Sequence, residues 1–335
     1  MHDYTEGCSE MIDKNRTDIK ENYILKLDSQ LLSILLKDNS SKKNIIWATD
    51  GYADRGCGYE SFDYITIDAI TGRNGSVIKP RIEKSKKEQL TRVRDKAEVF
   101  TPSWICNKQN NLVDNAWFGK ENVFNVEIDK EWETNADKIQ FPQDKTWQDY
   151  VKSNRMEISC GEAPYLVSRY DTVTGDVIAV RDRIGILDRK LRVVSENVDS
   201  EPEWYEWAKN AIKSVYGYDW QGDNVLLARE NLLFTFVDYY IDKFGLAPIK
   251  EYLTEIAEII SWNIWQMDGL KFVIPNSCVE IEEGQISMFE FEETAKKKPC
   301  EGCTKNLSHH HTGIYCKIMD WEKNKAIKFV SLIKN

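Results

Sequence analysis

The chain has 335 residues, 41% hydrophobic and 11% aromatic, enough to bury a substantial core in one large domain with appendages or in two small ones. No run approaches the roughly 20 apolar residues of a membrane span, and Met1-His2-Asp3-Tyr4-Thr5-Glu6 has no basic region before an apolar run, so neither a span nor a signal peptide is expected. With 55 acidic against 45 basic residues and a net charge of −10, the composition argues against a chain that grips DNA unaided.

Residues 1–20 are polar and read as a loose segment. From Glu21 to Lys37 the apolar positions Ile24, Leu25, Leu27, Leu31, Leu32, Leu35 and Leu36 follow a helical period. Two short β-like runs come next, Asn44 to Thr49 and Phe62 to Ile67, punctuated by Gly51, Gly56, Gly58 and Gly72. Lys84 to Lys96 is a charged helical stretch, and Asp114 to Trp147 reads as an irregular aromatic surface excursion.

Between Arg155 and Leu270 strand and helix patterns alternate. Met156 to Ser159 is a strand running into a turn at Gly161, and Glu203 to Tyr216 is a helix with Trp204, Trp207, Ala208, Ala211, Ile212 and Val215 on one face. Val225 to Lys243 is a second helix, Pro248 leads into a third that ends near Ser261, and Asn263 to Met267 is a strand. This order predicts a parallel, doubly wound α/β sheet. The basic segment Arg181 to Arg192 reads as a solvated hairpin laced by Asp–Arg pairs, with DNA phosphate contact as the alternative. Ile314 to Trp321 and Ala326 to Ile333 have the pattern of two terminal strands.

Three segments carry candidate chemistry. Glu157-Ile158-Ser159-Cys160-Gly161-Glu162-Ala163 places an acid at a strand end before a small-residue turn, where backbone can approach a ligand. Tyr216-Gly217-Tyr218-Asp219 ends a second strand on an acid suited to ribose hydroxyls, followed by Ala228-Arg229-Glu230-Asn231-Leu232 on a helix. Gln266-Met267-Asp268-Gly269-Leu270 ends a third strand. Each has an ordinary structural alternative: a turn, a core helix, and an Asp-Gly turn. Upstream, Phe100-Thr101-Pro102 is a turn fixed by its proline.

In this order the segments resemble the cofactor-binding part of the adenine-specific DNA methyltransferases of restriction-modification systems. The family pattern near the first strand is approximately Asp-Pro-Xaa-Cys-Gly-Ser-Gly; here the acid, Glu157, is one methylene longer and Ala163 replaces the last glycine. The resemblance covers about Lys96 to Leu270, with an additional segment from Asp171 to Ser200. It implies a Rossmann-like doubly wound sheet, incomplete here, over residues 96–279. An N-terminal α+β region would occupy 1–95, an acidic then Cys/His-bearing linker 280–313, and terminal strands 314–335. It further implies S-adenosylmethionine held by Phe100, Thr101, Pro102, Glu157, Cys160, Gly161, Asp219 and Asp268.

The family's catalytic turn, (Asn/Asp/Ser)-Pro-Pro-(Tyr/Phe), occurs nowhere in the sequence, and Pro275-Asn276-Ser277 lacks its second proline and aromatic. The expectation is a split enzyme in which a second subunit supplies an Asn-Pro-Pro-Tyr segment and DNA is bound by the assembly. The alternative is a non-catalytic scaffold of the same fold.

Two features lie outside that resemblance. Cys300-Xaa-Xaa-Cys303, His310 within His309 to His311, and Cys316 offer structural zinc ligands, against the alternative of a reduced loop. Gln285-Ile286-Ser287-Met288-Phe289 is similar to the short motif by which bacterial proteins dock on the DNA sliding clamp, with Gln285, Met288 and Phe289 as contacts. The eight scattered cysteines and the absence of an export signal point to a cytoplasmic protein with reduced thiols.

Overall fold

Three short strands lie side by side and parallel at the centre of the molecule, whose computed structural model describes residues 21–96, 101–283 and 296–333. Eleven helices and three two-stranded antiparallel sheets surround them among the described residues, so the architecture is mixed α/β. Chain order runs α1 (Glu21–Leu27), α2 (Ser29–Leu36), α3 (Ile67–Ile70), α4 (Lys86–Lys96), α5 (Ser103–Phe118), β1 (Asn125–Ile128), β2 (Glu131–Thr134), α6 (Trp147–Lys152) and β3 (Arg155–Ile158). It continues with α7 (Ile186–Asn197), α8 (Glu201–Lys213), β4 (Val215–Asp219), α9 (Gly222–Phe244), α10 (Lys250–Asn263) and β5 (Ile264–Gln266). The last elements are β6 (Ile281–Glu283), β7 (Lys296–Lys298), α11 (Glu301–Lys305), β8 (Lys317–Asp320) and β9 (Lys325–Lys328).

The parallel sheet has the order β3-β4-β5, in register at Glu157↔Gly217 and Asp219↔Gln266. Parallel neighbours need long crossovers; α7 and α8 supply one, α9 and α10 the other. Alternate residues face opposite sides of a strand. Val215 and Ile264 enter the main core beneath the crossover helices, whereas Trp265, flanked by Tyr216 and Tyr218, packs into a second small core with Met267, Ile274, Cys316, Ile318 and Phe329.

Several expectations are corrected by where polar groups find partners. The helix expected from Glu21 to Lys37 breaks at Asp28, which adopts an extended conformation and caps α2 by accepting from the Gln30 amide at 2.9 Å. The runs at Asn44 to Thr49 and Phe62 to Ile67 form only isolated bridges, Lys37↔Asn44 and Ile46↔Tyr64. Ile46 instead docks on β5 through a side chain: its N–H donates to Gln266 Oε1 (2.9 Å) and its carbonyl accepts from Gln266 Nε2 (2.8 Å). The expected helix through Tyr216 stops at Lys213, because the Ser214 hydroxyl turns back to the Val151 and Ala211 carbonyls and strand β4 begins at Val215.

Asp114 to Trp147 is not an irregular excursion. Helix α5 runs through Phe118 into the β1–β2 hairpin, and Phe118, Phe124 and Tyr150 are buried there. Arg181 to Arg192 is not a solvated hairpin either. Its second half forms α7, where Asp188, Arg189 and Lys190 are buried. Arg189 donates to Asp114, Asn107 and Asn111, and Lys190 to the Val151 and Ser153 carbonyls and the Ser214 hydroxyl. Arg183 pairs with Asp238 and Arg192 with Glu196, leaving Arg181 as the highly exposed cation of this stretch, so no basic surface forms there.

Of the expected linker 280–313, the described parts hold regular elements: β6 pairs with β7, and α11 is followed by a turn that brings His311 beside Cys300 and Cys303. Of the two terminal strands, the second ends at Lys328 and continues as a 3₁₀ turn over Phe329–Leu332. Among the described residues no helix is long and apolar enough to cross a membrane.

Candidate functional site

Beyond β3 the chain turns through three left-handed residues, Ser159 (φ 50°), Gly161 (φ 53°) and Ala163 (φ 64°). A left-handed backbone suits Gly161 and costs a residue with a Cβ about 1 kcal/mol. Ala163 stands where the resembled pattern has its last glycine, and its backbone is in the left-handed conformation that glycine favours. Fixed partners hold it there. The Cys160 amide donates to the Tyr218 carbonyl (2.8 Å), Ala163 to the Cys160 carbonyl (2.7 Å), and Gly161 to Asp219 Oδ2 (2.9 Å).

Glu157 lies beneath this turn and accepts from the Tyr165 and Leu166 amides at 3.4 and 3.2 Å. Burial pushes its carboxyl well above the usual range; the two amides oppose the shift and the neighbouring Asp219 adds to it. Glu162, also buried, accepts from the Arg81 amide (2.6 Å) and the Tyr170 hydroxyl (2.7 Å).

Strand β4 delivers Asp219 to the same place. Gly217 lacks a Cβ that would lie 3.3 Å from Cys160 Sγ and 3.1 Å from Ile264 Cδ1, which lets the two strands and the turn close together. The Asp219 carboxylate is largely buried. Its Oδ1 accepts from the Gln221 amide (2.9 Å) and Asn224 Nδ2 (3.3 Å), and its Oδ2 takes the Gly161 amide. It therefore ties the β3 turn to the start of α9.

The Ala-Arg-Xaa-Asn-Leu stretch lies inside α9 and has a mechanical role. Arg229 is fully buried and donates to four carbonyls: Ile264 (2.8 Å), Leu35 (2.6 Å), Lys37 (3.0 Å) and Ser261 (3.1 Å). It thereby satisfies the orphan carbonyls at the ends of α2 and α10. Asn231 Nδ2 donates to the Glu162 carbonyl at 3.0 Å and steadies the turn.

These elements enclose a cleft of about 870 Å³ at the carboxyl ends of the parallel strands, the usual ligand position in an open α/β sheet. Among the sequence-predicted residues, Thr101, Glu157, Cys160, Gly161 and Asp219 line it together. Pro102 sits just before α5 and does not line the cleft, while the Thr101 carbonyl is held by Thr172 Oγ1 at 3.1 Å. Phe100 lies outside the described residues, as do Gln285, Met288 and Phe289. Sequence reasoning missed Thr49, Arg94, Tyr165, Asn224 and Asn276 on the cleft wall. Thr49, Tyr165 and Asn276 lie in loops and Arg94 and Asn224 on helices α4 and α9, and only the fold brings them to one place.

Asp268 is not in the cleft. It closes its own turn, accepting from the Leu270 and Lys271 amides at 3.0 and 3.1 Å, and lines an adjoining cavity of about 310 Å³. Asn276 lines both spaces.

Beside that smaller cavity Cys278, Cys300, Cys303 and His311 converge, with potential ligand atoms all within 4.8 Å of one another. Of the candidate ligands read from the sequence, Cys300 and Cys303 belong to this cluster and His310 and Cys316 do not; His311 and Cys278 complete it. The His310 ring turns outward to Glu301 (3.4 Å), and the fully buried Cys316 thiol donates to the Gln266 carbonyl (3.3 Å) in the second core. Neighbouring histidines point in different directions from a turn, and Cys278 lies 22 residues before Cys300, beyond any knuckle spacing.

The chain matches no family model, no curated protein and no solved structure.

Proposed function

We propose that this chain is the S-adenosylmethionine-binding subunit of a split adenine-N6 DNA methyltransferase, completed by a second chain bearing the Asn-Pro-Pro-Tyr turn. The observation that carries the reading is the convergence of the Cys-Gly turn, the Tyr-Gly-Xaa-Asp strand end and Thr101 on one cleft of about 870 Å³. That volume is ample for a nucleoside-sized ligand. Asp219 lines the cleft at the carboxyl end of β4, where an acid is suited to accept from ribose hydroxyls. Backbone at Gly161 lies open, since a Cβ there would meet nothing within 4 Å. Asp268 is left out of the cofactor set, because it lines the adjoining cavity.

Bound S-adenosylmethionine would bring an electrophilic methyl group; this chain's part is to hold and orient it. Thr101 and Tyr165 would wall the cleft, Asp219 would fix the ribose, and the turn at Gly161 would face the methionine end. Support for the second chain comes from β3. Among the described residues no strand pairs with its outer edge, and Met156 and Ile158 on it are 48% and 64% exposed. An open edge with exposed apolar side chains is a template for strand addition. An adjoining groove of about 610 Å³, walled by Met156, Tyr216, Trp265 and Trp321, offers such a partner further apolar surface.

One observation favours a non-catalytic scaffold instead: the Asp219 carboxylate serves the fold itself by accepting from the Gly161 amide of the turn. Photo-crosslinking with methyl-labelled S-adenosylmethionine separates the two. Label is expected on peptides containing Thr101 or Cys160 to Tyr165, and competition by S-adenosylhomocysteine should remove it. Label confined to other peptides, or none on the folded chain, would leave the scaffold reading.

A further inference from the structure

We propose that Cys278, Cys300, Cys303 and His311 bind one tetrahedral zinc ion that fastens the C-terminal segment to the loop after β5. The inference rests on the geometry of these four residues and not on the methyltransferase reading.

Ligands at about 2.3 Å (sulfur) and 2.05 Å (nitrogen) around a tetrahedral ion stand about 3.6 Å apart for a sulfur–nitrogen pair. The three thiol sulfurs lie 3.7, 3.7 and 3.6 Å from His311 Nδ1, for Cys278, Cys300 and Cys303 in turn. All three distances therefore fit a common central ion, whereas isolated thiol–imidazole contacts carry no reason to agree. The ligands come from three separate pieces of chain: the loop after β5, α11 with its preceding residue, and the turn before β8.

The surrounding backbone is shaped to bring them together. A Cβ at Gly302 would lie 2.6 Å from His311 Nδ1, and one at Gly313 would lie 3.0 Å from Cys278 Sγ. Both glycines therefore permit the approach of a ligand from another segment. The Thr312 amide donates to Cys300 Sγ at 3.3 Å, a contact that stabilises a thiolate. Thr312 Oγ1 also links to the Val279 amide (3.1 Å) and carbonyl (2.7 Å), stitching the first and third ligand segments beside the site.

The chemistry selects the metal. Three thiolates and one imidazole at tetrahedral spacing form a set typical of zinc, and four protein ligands leave no open position for water or substrate. The role is structural. The net charge of three thiolates and a divalent ion is −1, and Lys271 lines the cavity beside Cys278 and Cys303. Fixing Cys278 also fixes Asn276, two residues away, where the small cavity meets the main cleft.

The test is elemental analysis of the untagged full-length chain, purified reduced and without chelator, then reconstituted with zinc and desalted. About one zinc per chain is expected, falling at least about tenfold in Cys278→Ser, Cys303→Ser and His311→Ala, with His310→Ala and His309→Ala unchanged. Cobalt(II) in the same site should show the intense visible bands of tetrahedral thiolate coordination. Because a ligand variant can misfold, hydrogen exchange on the wild type gives a second reading. Removing the metal by chelation should accelerate exchange in 275–279 and 300–316 while leaving β3, β4 and β5 protected. A reduced, folded wild type that retains no zinc, zinc retained in Cys278→Ser, or equal loss in His310→Ala and His311→Ala would each overturn the site. Unchanged exchange after chelation would overturn its structural role.

Discussion

Arg229→Ala should lower the free energy of unfolding by about 4 kcal/mol or more, one of the largest losses any single substitution in this chain produces. The guanidinium makes four hydrogen bonds, all to main-chain carbonyls, from a fully buried position. Truncation leaves carbonyls of Leu35, Lys37, Ser261 and Ile264 without their donor, and each buried acceptor so stranded costs about 1–3 kcal/mol. It also opens a cavity among α2, α9 and α10. Burial lowers the Arg229 pKa to about 10, with Asp38 and Cys160 opposing the shift, so the side chain remains charged at neutral pH. Urea unfolding of wild type and variant measures the effect. A loss below about 1 kcal/mol would contradict the role assigned to Arg229. Arg229→Lys should recover only part of the loss, because an ammonium cannot reproduce the planar fork.

Asp223→Asn should cost about 3 kcal/mol at neutral pH by removing the charge that holds the N-terminal region on α9. Buried Asp223 Oδ2 receives Tyr52 OH (2.7 Å), Arg92 Nη1 and Nη2 (2.8 and 2.6 Å) and Lys84 Nζ (3.4 Å). Burial pushes its pKa up, but Arg92 and then Lys84 outweigh that, and the carboxyl sits at about 2 against an ordinary 3.8. The folded value lies below the unfolded one, so as pH falls the unfolded chain binds this proton first. The contribution is complete above about pH 4 and is lost between about pH 4 and pH 2, some 2 kcal/mol in all. The wild type should therefore lose about 2 kcal/mol more than Asp223→Asn across that window, measured by urea unfolding at each pH. Parallel pH curves for the two proteins would exclude the ion cluster as the cause.

These two residues show where the sequence was legible and where it was not. Strand β5 and helices α9 and α10 follow from apolar patterning, whereas β3 exposes Met156 and Ile158 and buries Glu157, and the first residues of β4 read as the end of the preceding helix. The carboxyl-end placement of Gly161 and Asp219 follows from strand-then-turn order. Pattern fails where a charged side chain is buried by distant partners: Arg189 meets Asp114 from 75 residues away, so a charged run that reads as solvated became the interior of α7. It fails again where a side chain replaces a strand, as Gln266 does in binding Ile46 across 220 residues. Asp268 illustrates a third case, in which the predicted strand end is right but the side chain closes its own turn and faces the adjoining cavity. The Cys/His cluster shows a fourth: Cys300 and Cys303 read from the sequence belong to it, but His311 in place of His310, and Cys278, emerge only from the turn geometry.

Calorimetric titration of the folded chain with S-adenosylmethionine tests the central claim most directly. The account predicts saturable one-to-one binding, weakened at least about tenfold in Asp219→Asn, which keeps an acceptor for only one of the Gly161 and Gln221 amides and loses the charge facing the ribose. No heat of binding from the folded wild type, or equal affinity in Asp219→Asn, would contradict it.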